Sequence, residues 1–117
     1  MNNRGQAGEE RAAQFLIAKG WQILARNFSV PAGELDLVAC DGKTLVFVEV
    51  KTRTHETYGG PLAAVTKAKQ ARLFRAAVWF IKEKKLKFDS IRFDVVCVLP
   101  DRVELVPNAF YPPRTTL

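Results

Sequence analysis

Apolar residues Ala12, Ala13, Phe15, Leu16 and Ile17 recur at helical spacing within residues 6–19, and Gly20 follows as a stop. The pattern predicts a first helix with one buried stripe. Residues 21–28 (WQILARNF) read as a strand, and Pro31-Ala32-Gly33 breaks the pattern into a loop. Two β-rich runs, residues 34–40 (ELDLVAC) and 44–51 (TLVFVEVK), flank Asp41-Gly42. An Asp-Gly pair between such runs is a strong short-range hairpin signal. Residues 52–61 contain Gly59-Gly60-Pro61 and show no periodicity, which predicts an exposed loop. Thr66 stands where it would cap a long helix from 67 to about 85, with Leu73, Phe74, Ala77, Val78, Phe80 and Ile81 as its apolar stripe. A strand over 91–99 (IRFDVVCVL), a turn at Pro100-Asp101 and a short edge strand over 103–106 follow. Residues 107–117 hold three prolines and predict an extended surface tail.

The predicted order is helix, three strands, helix, two strands. That is an α/β domain in which helices flank a central mixed sheet of about five strands. A length of 117 residues fits one such domain, tail included. Apolar residues make up 48% and charged residues 26%, a globular composition rather than a disordered one. The two cysteines, Cys40 and Cys97, sit inside apolar runs and read as reduced, buried and structural. No signal-peptide core or membrane-length apolar run is present, so the expected location is the cytoplasm, with no membrane partner.

The chemistry is concentrated in the hairpin. Glu49-Val50-Lys51 puts an acid and an amine on one face of a strand, because strand side chains alternate with period two. With Asp41 and Gly42 as a two-residue loop, Asp36 pairs with Phe47 and joins that face, while Glu34 lands opposite Glu49. A three-residue loop would instead send Asp36 to the other side of the sheet. A lone Glu-x-Lys on a strand is usually a solvated face. Here Val46, Phe47, Val48 and Val50 mark the strand as central, where charges are costly unless they serve a purpose. Three convergent carboxylates repel one another unless a cation sits between them. Magnesium, or manganese, takes one or two carboxylates together with phosphate and water. Lys51 beside it is suited to orienting the attacking water and stabilising charge at phosphorus. These are the parts needed to hydrolyse a phosphodiester.

At these residues the chain resembles a known superfamily. Asp36 followed by Glu49-Val50-Lys51 across a hairpin is similar to the PD-(D/E)xK nuclease motif, with Leu35 where the motif's name carries a proline. More narrowly, Gly33-Glu34-Leu35-Asp36-Leu37-Val38 with Phe47-Val48-Glu49-Val50-Lys51-Thr52-Arg53 resembles the YraN-like uncharacterised bacterial family, itself distantly similar to archaeal Holliday-junction resolvases. The resemblance implies a restriction-endonuclease-like fold, Asp36 and Glu49 as metal ligands and Lys51 as catalytic lysine. It also implies Glu9, from the first helix, as a further metal ligand, and Lys67 and Gln70 as accessory residues beside the catalytic strand. Glu9 has a simpler explanation as well, since acids favour the first turn of a helix.

The charge has a location. The chain nets +6, with a pI near 9.6. Residues 67–87 hold Lys67, Lys69, Arg72, Arg75, Lys82, Lys84, Lys85 and Lys87 against Glu83 alone, so the excess lies on one helix and its exit. Such a stripe suits phosphate contacts, which position a nucleic acid without reading its sequence. Lys67, Lys69, Arg72, Arg75 and Arg53 are the expected contacts, with DNA favoured over RNA. His55, alone in a loop, receives no role, and Asp94, among apolar neighbours, reads as a structural carboxylate in need of an arginine or backbone amide. The expected function is a metal-dependent endonuclease acting on DNA, branched forms included. The alternative is a non-catalytic nucleic-acid-binding module that retains the nuclease fold; an adaptor docking an acidic protein is a third reading. Residues 103–106 offer an apolar edge for a homodimer.

Overall fold

A computed structural model describes residues 3–55 and 65–112. Its elements are α1 (Asn3–Ala18), β1 (Gln22–Val30), β2 (Gly33–Asp41), β3 (Thr44–Thr52), α2 (Lys67–Lys84), β4 (Ser90–Val98) and β5 (Val103–Val106), in the predicted order. Helix ends fall where the sequence signals them. Gly20 takes φ 93° after α1, a conformation that costs glycine little. Thr66 caps α2, its hydroxyl accepting the Lys69 amide at 3.2 Å. Among the described residues no helix is long and apolar enough to cross a membrane.

The strands form one sheet in the order β1-β2-β3-β4-β5. The pair β3 and β4 is parallel and the others are antiparallel, with α2 making the crossover. A parallel pair joined this way is covered on both faces, which explains the near-continuous apolar runs of β3 and β4. On one face Leu73, Phe74, Ala76, Ala77 and Phe80 of α2 pack with Leu35, Val38, Phe47, Phe93 and Val95. On the other, Ala12, Ala13 and Leu16 of α1 pack with Leu37, Val46, Val48, Val96 and Val98. Phe93 joins the rings on the α2 side, with centroids 5.3 Å from Phe47, 4.9 Å from Phe74 and 5.6 Å from Phe110.

Three expectations need correction. The hairpin loop is Gly42-Lys43, because Asp41 still pairs with Thr44 and Cys40 with Leu45. Gly42, at φ 61°, supplies the positive φ of the turn from its first loop position. The register therefore moves by two residues, so Asp36 does not pair with Phe47 and Glu34 is not opposite Glu49. The tail is not wholly superficial, since Phe110 is buried against Phe74 and Phe93 and Ala109 N–H donates to Phe93 O at 2.8 Å. An aromatic ring outweighs the prolines around it, as burying one is worth roughly 1.5–3 kcal/mol. Neither Cys40 nor Cys97 is held in a disulfide, but Cys40 is only partly buried. The expected loop over 52–61 lies beyond residue 55 outside the described residues.

Candidate active site

β2 and β3 run as a regular ladder only as far as the pair Leu37 and Val48. Beyond it the strands part, and a side chain replaces the next rung: Asp36 Oδ2 accepts the Val50 amide at 2.8 Å. Toward β1 the register holds at this point, its shift lying between Ile23 and Ala25, but the backbone is unusual. Arg26 pairs with Leu37 and Phe28 with Leu35, while Asn27 between them takes φ 52°, uncommon for a residue with a Cβ. Leu35 and Leu37, two residues apart, face opposite cores. Regular alternation would put them on one face. Asp36 thus occupies the fork of the sheet, where the phase of β2 reverses.

Phe47 faces α2, so Glu49 and Lys51 follow it toward that helix. Both are nearly buried, at 5% and 8% exposure. Glu49 Oε1 lies 3.2 Å from Lys51 Nζ and 2.8 Å from Lys69 Nζ. Burial and then the charge of Glu49 push the Asp36 carboxyl up to about 7, against the Val50 hydrogen bond that favours its anion. The charge of Glu9 on α1 adds to the upward push. Burial, with Lys69 alongside, lowers the pKa of Lys51 despite Glu49. For Lys69 burial also acts downward, but the contact with Glu49 prevails and the net shift is upward. The cluster therefore sets two like-charged acids against two like-charged amines in a partly dry fork.

Two glycines fix its walls. A Cβ on Gly8 would stand 2.1 Å from Thr52 Oγ1, so a side chain there would have to push Thr52 aside where α1 seats against the end of β3 beside Glu9. A Cβ on Gly33 would stand 2.1 Å from the Arg72 carbonyl oxygen, so the start of β2 touches the backbone of α2. On the α2 side Glu34, Glu49, Ala68, Lys69, Arg72 and Leu73 line a cavity of about 350 Å³.

The sequence-derived residues are brought together unevenly. Asp36, Glu49 and Lys51 meet, and Glu9 acts on Asp36 through space. Glu34 is exposed at the cavity wall instead of lying across from Glu49. The expected convergence of three carboxylates is not found. Among the described residues no group of three or more acidic, histidine or cysteine side chains forms a ready cation cage. The two-residue shift of register and the parting of the strands carry Glu34 away, and Lys69 neutralises Glu49 instead. Lys67 is exposed, and Gln70 donates to Val65 O at 3.1 Å, at the entry to α2. The residue that reaches the site from α2 is Lys69, placed by the sequence among the phosphate contacts. A signal for it existed: the buried stripe Phe80, Ala76, Leu73 reaches residue 69 when carried back one more turn. Arg53 turns back onto Thr52 O at 2.9 Å, and Arg72 and Arg75 are exposed on α2. His55 is exposed beside Thr54, and Asp94 is fully buried with Arg92 and the Asn108 amide as partners.

A divalent cation fits this donor set. Asp36 and Glu49 are hard oxygen donors, and Asp36 is held back from ionising by burial and a like-charged neighbour, a penalty that a cation relieves.

The profile of the uncharacterised protein family UPF0102 matches residues 8–98. A UPF0102 protein of Symbiobacterium thermophilum is 49% identical over 112 residues, covering 92% of this chain and 95% of that one. Another, of Desulfosudis oleivorans, is 45% identical over 108 residues, covering 91% and 88%. Among solved structures, a Holliday junction resolvase from Archaeoglobus fulgidus superposes with a TM-score of 0.51 at 18% identity, covering 88% of this chain and 76% of that one. The five-strand mixed sheet with two helices is the fold of that protein, the restriction-endonuclease-like fold.

Proposed function

Because the chain belongs to the uncharacterised family UPF0102 and sets Asp36, Glu49 and Lys51 at the fork of its sheet, we propose that it is a metal-dependent endonuclease hydrolysing phosphodiester bonds in DNA, structured or branched DNA included. The observation that carries this reading is the fork itself. A sheet gives up a backbone rung to hold a carboxylate beside a second carboxylate and a buried lysine, an arrangement that weakens the scaffold and suits a reaction. The likeness in fold to a Holliday junction resolvase supports the substrate class.

Asp36 and Glu49 would hold magnesium or manganese, with Glu9 acting from α1. When bound, the cation supplies Lewis acidity and a template for the phosphate. The other parts belong to the chain. The Val50 amide fixes the Asp36 carboxylate. Lys51, its pKa lowered by burial, orients the attacking water and meets negative charge developing at phosphorus. Lys69 and Arg72 line the cavity where a phosphate backbone enters. Gln70 holds the entry to α2 through Val65 O with Lys67 exposed beside it, Arg75 lies farther along α2, and Arg53 stands apart, beside Gly8 and Arg11 of α1.

One observation favours the alternative, a binding module that retains the fold. Glu49 is already neutralised by two lysines, as a charge cluster without a metal would be. Cleavage decides between them. Labelled single-stranded, duplex, flap and four-way-junction DNAs are incubated with magnesium or manganese, with EDTA as control. Wild type should cut at least one of them, and Lys51→Ala and Asp36→Ala should each lose roughly 10²- to 10⁴-fold in rate. Binding without cleavage on every DNA, and then on matching RNAs, would establish the binding module.

A further inference from the structure

The buried stripe of α2 leaves its opposite side to solvent. On that side Arg72, Arg75, Trp79 and Lys82 succeed one another at intervals of three, four and three residues, the spacing that aligns helical side chains in one row. All four are exposed, and Trp79 is 55% exposed. Its neighbours along the row, one turn to either side, are the guanidinium of Arg75 and the ammonium of Lys82. This is not the apolar surround of a protein-docking patch. A second copy of the same face would bring like charges together. The row is complementary to a polyanion that also offers flat apolar faces, which describes a nucleic acid.

The row starts at the active site. Arg72 lines the cavity that also holds Glu49 and Lys69. Arg75 is exposed, its Nε donating to Ala32 O at 3.4 Å. A shallow hollow of about 150 Å³ adjoins Trp79, bounded by Val78 and Lys82. Trp79 stands about 10 Å along the helix axis from Arg72, a short run of nucleotides away. In a duplex the base faces are covered by their neighbours and only edges reach the grooves. An indole on a helix surface finds a face to stack on only where the bases are unpaired.

We infer that this row is a track for a single-stranded segment of nucleic acid, in which Trp79 stacks an unpaired base and Arg72, Arg75 and Lys82 hold the flanking phosphates. The inference rests on the nuclease reading and narrows its substrate to nucleic acids with a single-stranded arm beside the cut.

The full chain is tested in EDTA, which silences cleavage, so the result judges the track alone while the cleavage panel judges the nuclease reading. A labelled oligothymidylate and a blunt duplex of equal length are titrated and followed by fluorescence anisotropy. Trp79→Ala should bind the single strand roughly 5- to 150-fold more weakly than wild type. Its affinity for the duplex should be unchanged, and Trp79→Phe should recover most of the loss. Wild-type tryptophan emission should be quenched by the single strand, with Trp79 as the reporter, since Trp21 is buried at 8% exposure. Equal affinity of Trp79→Ala and wild type for the single strand would overturn the inference. So would an equal loss for strand and duplex, or self-association in sedimentation that Trp79→Ala abolishes.

Discussion

Asp36 and Asp94 occupy the two strands that flank β3, one on β2 and the other on β4. Both are acids withdrawn from water in the middle of a sheet, and both accept a backbone amide, from Val50 at 2.8 Å and from Asn108 at 3.0 Å. They differ in the charge beside them. Asp94, fully buried, receives Arg92 through Nε at 3.0 Å and Nη2 at 3.1 Å, a forked pair that satisfies both oxygens. Asp36 faces Glu49 and, through space, Glu9, and the charge of Lys69 reaches it only through space. A buried acid with an opposite charge is part of the scaffold, and one set against its own kind is poised to receive a cation. Residue type and burial alone do not separate the two.

Substitutions should separate them. The largest effect on stability is expected from Asp94→Ala, which leaves Arg92 and the Asn108 amide without their acceptor; urea denaturation should show a loss of about 3–5 kcal/mol. A comparable loss in Asp36→Asn would break the comparison by making Asp36 scaffold too. The expectation for Asp36→Asn is the reverse. In the folded chain the Asp36 carboxyl holds its proton up to about 7, against an ordinary value of 3.8. Between those values the folded state binds more protons than the unfolded one, so metal-free stability falls as pH rises from about 4 to about 7. Asp36→Asn should flatten this part of the profile and be more stable than wild type at pH 8, by on the order of 1–3 kcal/mol. The smallest effect is assigned to Glu9→Gln, which removes one of the charges opposing ionisation of Asp36. Carboxyl titration by NMR should move Asp36 downward, toward its ordinary value, with little change in stability. No movement would detach Glu9 from the site.

Most of the scaffold was legible because its signals are local. Gly20, Thr66 and the apolar period of α2 act within a turn of chain, and the end of α1 and both ends of α2 fall where they point, while α1 begins three residues earlier than its apolar pattern. The strand that carries the candidate site was legible because charges interrupt a run that is otherwise apolar. Register was harder, because Asp41-Gly42 and Gly42-Lys43 both make acceptable two-residue loops, and sequence alone does not choose between them. The shift by two preserved the parity that brings Asp36 toward Glu49 and lost the placement of Glu34. The positive φ of Asn27 and the phase reversal at Asp36 follow from strand divergence, a property of three strands together that no single run displays. Lys69 was misplaced because charge was read as surface, although the helical period put it on the inward stripe. Phe110 was overlooked because the prolines around it dominate the local pattern.

The rung at Asp36 also bears on the mechanics of the sheet. Elsewhere β2 and β3 are joined by backbone groups whose spacing the chain dictates. At the fork they are joined through a carboxylate on a rotatable side chain, and an aspartate can turn or change its charge without moving a strand. The backbone ladder ends at Leu37 and Val48, and the fork beyond it is tied by a side chain. The carboxylate that would hold a cation is also a tie across the fork, so the site and the sheet share one side chain.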